Sequence, residues 1–256
     1  MSRSRQGSEP EIRATSTTVS TRWTWRLPAS DWGKLLQVSR GALTVSTATG
    51  MWVVPPHQAL WIPALLQHEF ETGPGAATRA LYIHPRASGR LPKSVRAIHV
   101  SPLLRELLRR AILLETLDRR KREQRNLIAV LLDELATLPM AAIDLRMPRD
   151  PRAVRAAVLA RSRPEARLTL ADASRASGAS SRTLERLFRA ETGLAFGAWR
   201  QRARLLRALQ LLAENENVTS AAIAVGYEST SAFVAAFRRA MGATPGQYFR
   251  NRQRVT

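Results

Sequence analysis

Two arginines four residues apart, Arg182 and Arg186, stand in the stretch SSRTLERLFRAETG. A guanidinium is always charged and offers a planar fork of donors. Such a fork matches the N7 and O6 acceptors of a guanine edge, or the oxygens of a phosphate. One helical turn separates the two, so both project from one face. Glu185 between them has two readings: an acceptor for a cytosine amino group, or an ion-pair partner for Arg189 at i,i+4. A second stretch, GYESTSAFVAAFRRAMGATPGQYFR, carries Ser229, Thr230, Ser231, Val234 and Ala235. By helical spacing its small side chains face outward, able to offer hydroxyls to a base edge or apolar contact to a thymine methyl. None has the reach of an arginine, so weaker base reading is expected there, with much of the contact made to phosphate.

Both stretches need the same frame to hold them. In LTLADASRASGASSRTLERLFRAETG, Thr169 and Asp172 form a capping box that starts a short helix. Gly178 can take the positive φ of a tight turn, and Ser180 is a natural N-cap for the next helix. Leu184, Leu187 and Phe188 form its buried face, leaving Ser181, Arg182, Glu185, Arg186 and Arg189 on the others. The pattern predicts a helix-turn-helix with its recognition helix over 181–190. The second stretch repeats it, with Gly226 in the turn, Ser229 as N-cap, Phe233, Phe237 and Met241 buried, and Gly242 as the stop. Thr244-Pro245 then opens a last short helix. The two serine caps can also bring their helix N-termini onto phosphates, and capping and phosphate contact can hold together. They lie 49 positions apart. Between them FGAWRQRARLLRALQLLA predicts a helix over 196–213, roughly 27 Å long at about 1.5 Å per residue. A rod of that size can hold two recognition helices about one DNA turn apart. Its arginines, Arg200, Arg202, Arg204 and Arg207, are expected on a solvated face, with one or two able to touch the DNA backbone.

Charge agrees. The 256 residues carry 40 basic and 20 acidic side chains, a net charge of +20. Residues 148–256 hold 19 basic, all arginine, against 8 acidic, a net of +11 in the shorter part. A polyanionic partner fits this balance, nucleic acid before an anionic membrane. Cysteine is absent, which excludes disulfides, thiolate chemistry and zinc-finger sites. The polar N-terminus MSRSRQGSEPEIRATSTT does not read as a secretory signal, and the longest central apolar run is too short to span a bilayer. A cytoplasmic protein is expected.

The first half has a different period. Residues 1–20 read as a disordered tail. Across residues 21–90, LLQV, ALTVST, MWVV, ALWI, HEFET and ALYIH are short runs broken by SRG, ATG, PP and TGPG, as in a small β-barrel or sandwich. From Ser101, two amphipathic helices follow, one with Leu103, Leu104, Leu107, Leu108, Ala111 and Leu114, the other with Leu127, Ile128, Leu131, Leu132 and Leu135. These faces either pack on the barrel or meet their copies in a homodimer. Pro139 ends this unit, and residues 144–151, DLRMPRDP, read as the linker. The expected architecture is α+β: a barrel domain with two helices over 21–147 and an all-α domain over 148–256.

The segments TLADASRASGASSRTLERLFRAETG, FGAWRQRARLLRALQLLA and VGYESTSAFVAAFRRAMGATPGQYF resemble the AraC/XylS family of bacterial transcription regulators, over about residues 150–250. SSRTLERLF, WRQRARLL and SAFVAAF are similar to the subgroup with a cupin-type sensor domain in front. VVPPHQALWIP followed by His68 resembles that sensor. The resemblance implies promoter DNA as partner, a small effector in the barrel, and activation through RNA polymerase. His57, Trp61 and His68 are then the candidate effector residues. The other reading places the histidines at the barrel rim or core and Trp52 and Trp61 in a core. Cupins often hold a metal with an early His-x-His and a later His. Pro28 and Ser30 occupy the places of the early pair here, so neither a metal nor another cofactor is expected. Two other classes compete with this reading: a metal-dependent enzyme, against which stand the missing histidine pair and the absence of any nucleophile–base motif, and a DNA-coating protein without sequence preference, for which two ordered recognition helices would be superfluous.

Overall fold

A computed structural model describes residues 9–56, 58–137 and 144–250 of the chain. Eleven strands and nine helices are formed among these residues. The strands are β1 (Ile12–Thr18), β2 (Trp23–Leu27), β3 (Gly33–Arg40), β4 (Leu43–Ser46), β5 (Gly50–Val54), β6 (Gln58–Ile62), β7 (His68–Thr72), β8 (Ala77–Ile83), β9 (Arg96–His99), β10 (Thr116–Leu117) and β11 (Asp144–Arg146). They form two sheets, ordered β10-β1-β8-β3-β6-β9 and β11-β5-β4-β7-β2. Each run named from the sequence is a strand, because alternate side chains bury on opposite faces. In β3, Leu36 and Val38 join the core between the sheets, while Leu35 points the other way, toward a second core.

That second core covers the outer face of the larger sheet. It is built with α1 (Pro102–Leu114) and α2 (Arg122–Thr137), which bury Leu104, Leu107, Leu108 and Ala111, and Ile128, Leu131, Leu132 and Leu135. The leucine faces thus pack on the barrel. Leu103, placed on that face by its spacing, is half exposed instead.

Two expectations need correction. Ile12–Thr18 lies within the segment read as a disordered tail, yet it is a strand paired with β8 from Ile12↔Ile83 to Thr18↔Ala77 and with β10. Its sequence, IRATSTT, is too polar to signal a strand; a waiting sheet edge supplies the backbone partners that make it one. Part of the DLRMPRDP linker is also a strand. β11 pairs with β5 through Asp144↔Trp52 and Arg146↔Gly50, and Leu145 is buried. Pro139 and His57 lie outside the described residues.

The rest is helical: α3 (Pro151–Ser162), α4 (Leu170–Ser177), α5 (Ser181–Thr192), α6 (Phe196–Ala213), α7 (Val218–Ala224), α8 (Thr230–Met241) and α9 (Pro245–Arg250). α6 is the central rod. It buries Trp199, Leu205, Leu206 and Leu209 among the helices around it.

Candidate nucleic-acid interface and sensor cavity

Each recognition helix is set by local chemistry that its sequence announces. α4 begins with a reciprocal capping box: Asp172 N–H donates to Thr169 Oγ1 at 3.1 Å, and Thr169 N–H to Asp172 Oδ2 at 3.0 Å. Asp172 is held down to about 2 by hydrogen bonds from Thr169 first and Arg175 next. Gly178 follows at φ +69°, and Ser180 caps α5 through Thr183 N–H at 3.2 Å. In the second unit Asn217 caps α7, Gly226 turns at φ +78°, and Ser229 caps α8 through Ala232 N–H at 3.2 Å. Leu184, Leu187 and Phe188 in α5, and Phe233 and Phe237 in α8, are buried.

What remains outside differs between the two helices. On α5, Ser180, Arg182 and Arg186 are exposed and Ser181 is half-buried, its hydroxyl accepting from Ser174 Oγ at 3.1 Å. Arg182 and Arg186 have no hydrogen-bond or ion-pair partner among the described residues, so their guanidinium forks are free to bind. Glu185 is committed inward. One oxygen takes Arg189 at 3.0 Å, and the other accepts Phe196 N–H at 3.2 Å, satisfying the first backbone donor of α6. Of its two readings, the ion pair is the one formed. On α8, Thr230, Ser231, Val234 and Ala235 line a shallow open groove with Arg238, Arg239 and Thr244. Arg238 falls seven residues after Ser231 and four after Val234, on the same helix face. That spacing is visible in the sequence, and it extends the outward face of α8 to its last turn.

The arginines of α6 are not a solvated face. Arg202 donates to Asp144 O and Oδ1, both at 2.6 Å. Arg200 donates to Ala166 O, and Arg204 to Val225 O while stacking on Tyr227 at 4.5 Å. Carbonyls left unpaired where loops meet a helix are what draw them in. Arg204 thereby fixes the turn of the second helix-turn-helix against the rod.

Barrel and helices also touch. Trp199 Nε1–H donates to Arg146 O at 2.7 Å, Gln58 Nε2–H to Tyr248 Oη at 2.6 Å, and Gln210 Nε2–H to Thr44 Oγ1.

Inside the barrel, Thr15, Thr17, Trp23, Trp25, Leu27, Leu36, Leu43, Phe70, Thr78, Ala80 and Tyr82 line a cavity of about 180 Å³. Trp61 does not reach it. The Trp61 ring sits on the opposite face of the larger sheet, packed toward α1 and α2, with its N–H on Pro92 O at 2.7 Å. Alternation along β6 decides this, since Leu60 and Ile62 point inward. His68 is buried on the inner face of β7, where Phe70 lines the cavity two residues on. Among the described residues no group of three or more His, Asp or Glu side chains could hold a metal.

Two ordered helix-turn-helix units on one rod, carried behind a barrel of two facing sheets, define a two-domain DNA-binding regulator. Comparison with known proteins agrees. Residues 13–136 match the AraC-like ligand binding domain, and residues 173–251 a helix-turn-helix domain. The HTH-type transcriptional regulator NimR of Escherichia coli (strain K12) is 34% identical over 216 residues, covering 84% of this chain and 79% of NimR. The HTH-type transcriptional regulator RipA of Corynebacterium glutamicum is 39% identical over 116 residues, 45% of this chain and 33% of RipA. A solved AraC-type transcriptional regulator from Chromobacterium violaceum aligns with 41% of this chain and 96% of its own at 28% identity and a TM-score of 0.39, a likeness too low to argue from. The chain belongs to the AraC family of transcriptional regulators, with an N-terminal ligand-binding domain and a C-terminal helix-turn-helix DNA-binding domain. Among the described residues no helix is long and apolar enough to cross a membrane.

Proposed function

We propose that this regulator reads a promoter operator through α5 and α8 in two successive major grooves, and that a small effector in the barrel biases its affinity for that DNA. The free, exposed Arg182 and Arg186 one turn apart on α5 carry the reading. They take base edges, while Ser180, Ser181 and Ser229 bring helix N-termini toward phosphate, and Thr230, Ser231, Val234 and Ala235 make lighter contacts in the second groove. The role is regulatory rather than catalytic, in the cytoplasm. Family membership supports activation through RNA polymerase. The exposed Leu103, Leu113 and Val130 on α1 and α2 support a homodimer through that outer surface.

The effector acts by population shift. It changes DNA affinity only by its preference for one arrangement of barrel and helices. Trp199, Arg202, Gln58 and Gln210 make the contacts through which that arrangement is felt. Selection of binding sites from random duplex DNA, with wild type, Arg182→Ala and Arg186→Ala, tests the reading. A two-turn motif that loses preference at one position in each variant supports it. No motif, with affinity set by salt alone, would leave only charge-driven binding.

A further inference from the structure

The charges of β2 and β7 are sorted to one side of their sheet. Arg22 pairs with Glu71 at 2.5 Å and Arg26 with Glu69 at 3.1 Å. Alternation along β2 then sends Trp23 and Trp25 the other way, into the barrel. There they meet Phe70, the cross-strand neighbour of Trp25. Trp23 stands edge-to-face with Trp25 at 4.6 Å and with Phe70 at 6.1 Å. These three rings form one wall of the barrel cavity.

The facing wall comes from β1 and β8. Ile12 and Ala14 are buried toward α1 and α2, so Thr15 and Thr17 turn inward. Thr15 lies across from Ala80, and Tyr82 follows on the same face of β8. Thr15, Thr17 and Tyr82 all line the cavity. Their hydroxyls have no partner among the described residues, and each can donate or accept.

Charge is missing from this lining. Among the described residues no acidic or basic side chain borders the cavity. Lys34 and Arg13, the cross-strand neighbours of Tyr82, are not part of it. Arg13 is committed to Glu9 at 3.0 Å and to the face of Trp32. An anion against the tryptophans would lose its water with no cation in contact. A cation would gain from the ring faces, but it would have no carboxylate in contact and would meet the positive charges of Lys34 and Arg13. An uncharged ligand bears neither cost. Size narrows the class further. The cavity measures about 180 Å³. A dry cavity of about 150 Å³ admits benzene, and drug-sized sites begin at roughly 300 Å³. One ring with a short substituent fits.

We propose that the barrel cavity takes an uncharged single-ring aromatic with one neutral polar group: a phenol, a benzylic alcohol or a primary benzamide. The ring lies among Trp23, Trp25 and Phe70, and the polar group meets the hydroxyls of Thr15, Thr17 and Tyr82. This rests on the reading of the barrel as the effector site and names the class of effector.

Binding of phenol, benzyl alcohol, benzamide, toluene, benzoate and benzylamine to the full chain is measured by calorimetry at neutral pH, where the last two are ions. Affinity for the selected operator is measured beside it. At least one of the three neutral polar compounds is expected to bind tenfold or more tighter than either ion. Trp25→Ala, at a partly exposed position, should weaken that compound tenfold or more. Tyr82→Phe combined with Thr15→Val and Thr17→Val should bring it down to the level of toluene. An ion that binds wild type as tightly as the neutral compounds overturns the proposal, even if no variant folds. Undiminished binding by Trp25→Ala overturns it as well, because the ring then lies elsewhere. Toluene matching the polar compounds on wild type overturns the hydroxyl pairing. If an ion binds tightest and changes operator affinity, the barrel is still the effector site and the uncharged class is wrong. If the neutral ranking holds while operator affinity stays unchanged, the cavity assignment stands and the effector reading fails. If no compound binds, the proposal fails.

Discussion

The two helix-turn-helix units share a scaffold and differ in what they present. Both use a left-handed glycine in the turn, a serine N-cap on the recognition helix and an aromatic anchor beneath it. Yet α5 exposes two unpartnered arginines at its front, while α8 exposes hydroxyls and small apolar groups there and keeps Arg238 and Arg239 for its last turn. The scaffold is set by backbone geometry, which admits few solutions. The outward face is under no such restriction, so specificity can be divided unevenly between two similar frames.

The turns themselves are the sharpest place to separate the units. A Cβ on Gly226 would lie 2.7 Å from Glu165 O and 2.8 Å from its Cα, whereas at Gly178 the nearest atom is the end of Arg155 at 3.9 Å. Gly178→Ala bears only the left-handed backbone, about 1–2 kcal/mol. Gly226→Ala adds a backbone clash and should cost about 3 kcal/mol or more. Urea unfolding of the two variants side by side checks this; equal losses would mean the second turn is not pressed on the loop before α4.

Readout should be unequal next. Arg182→Ala and Arg186→Ala should each cost about 1–3 kcal/mol against the preferred base, about 5- to 160-fold in affinity. Thr230→Ala and Ser231→Ala should each cost about 0.5–1.5 kcal/mol, the worth of a neutral hydrogen bond. Titration of the selected operator and single-base variants measures both. Larger losses on α8 would reverse the assignment of the dominant reader.

The caps should behave alike. Ser180→Ala and Ser229→Ala should each lower stability by about 1 kcal/mol, because each removes one bond to an otherwise unpaired helix N–H. A marked inequality in thermal unfolding would show that one serine does more than cap.

Acid should distinguish the units most gently. Asp172, at about 2, lies below its ordinary 3.8 because Thr169 and then Arg175 hydrogen-bond its charged form. A depressed carboxyl stabilises fully above its unfolded value and loses that contribution as pH falls through about 2. Asn217, which caps the corresponding helix of the second unit, does not titrate. Backbone chemical shifts should therefore show α4 fraying between about pH 4 and 2 while α7 holds. Parallel loss in both helices would assign the change to global unfolding.

Much of the helical half could be read from residue order alone. The rod was expected at 196–213 and is Phe196–Ala213, and Thr169, Ser180 and Ser229 cap where their types placed them. These features are local: a cap or a left-handed glycine acts on residues three or four positions away. β1 is not legible in the sequence because IRATSTT becomes a strand only beside β8 and β10. Trp61 faces α1 and α2 rather than the cavity because β6 has both faces buried, and a continuous apolar run does not say which face is which.

Residue types and spacing by themselves determined the two frames, their caps, the placement of Arg182 and Arg186 on the outward face of α5, and the family resemblance. Tertiary structure alone decided that Glu185 caps α6, that Arg200, Arg202 and Arg204 bind backbone carbonyls rather than face water, and that Trp61 faces α1 and α2 rather than the cavity. The reason lies in the range of the interactions. Caps and turns are settled by neighbours in the chain, whereas the partner of a long charged side chain, and the face on which a strand residue buries, depend on which distant segment packs beside it.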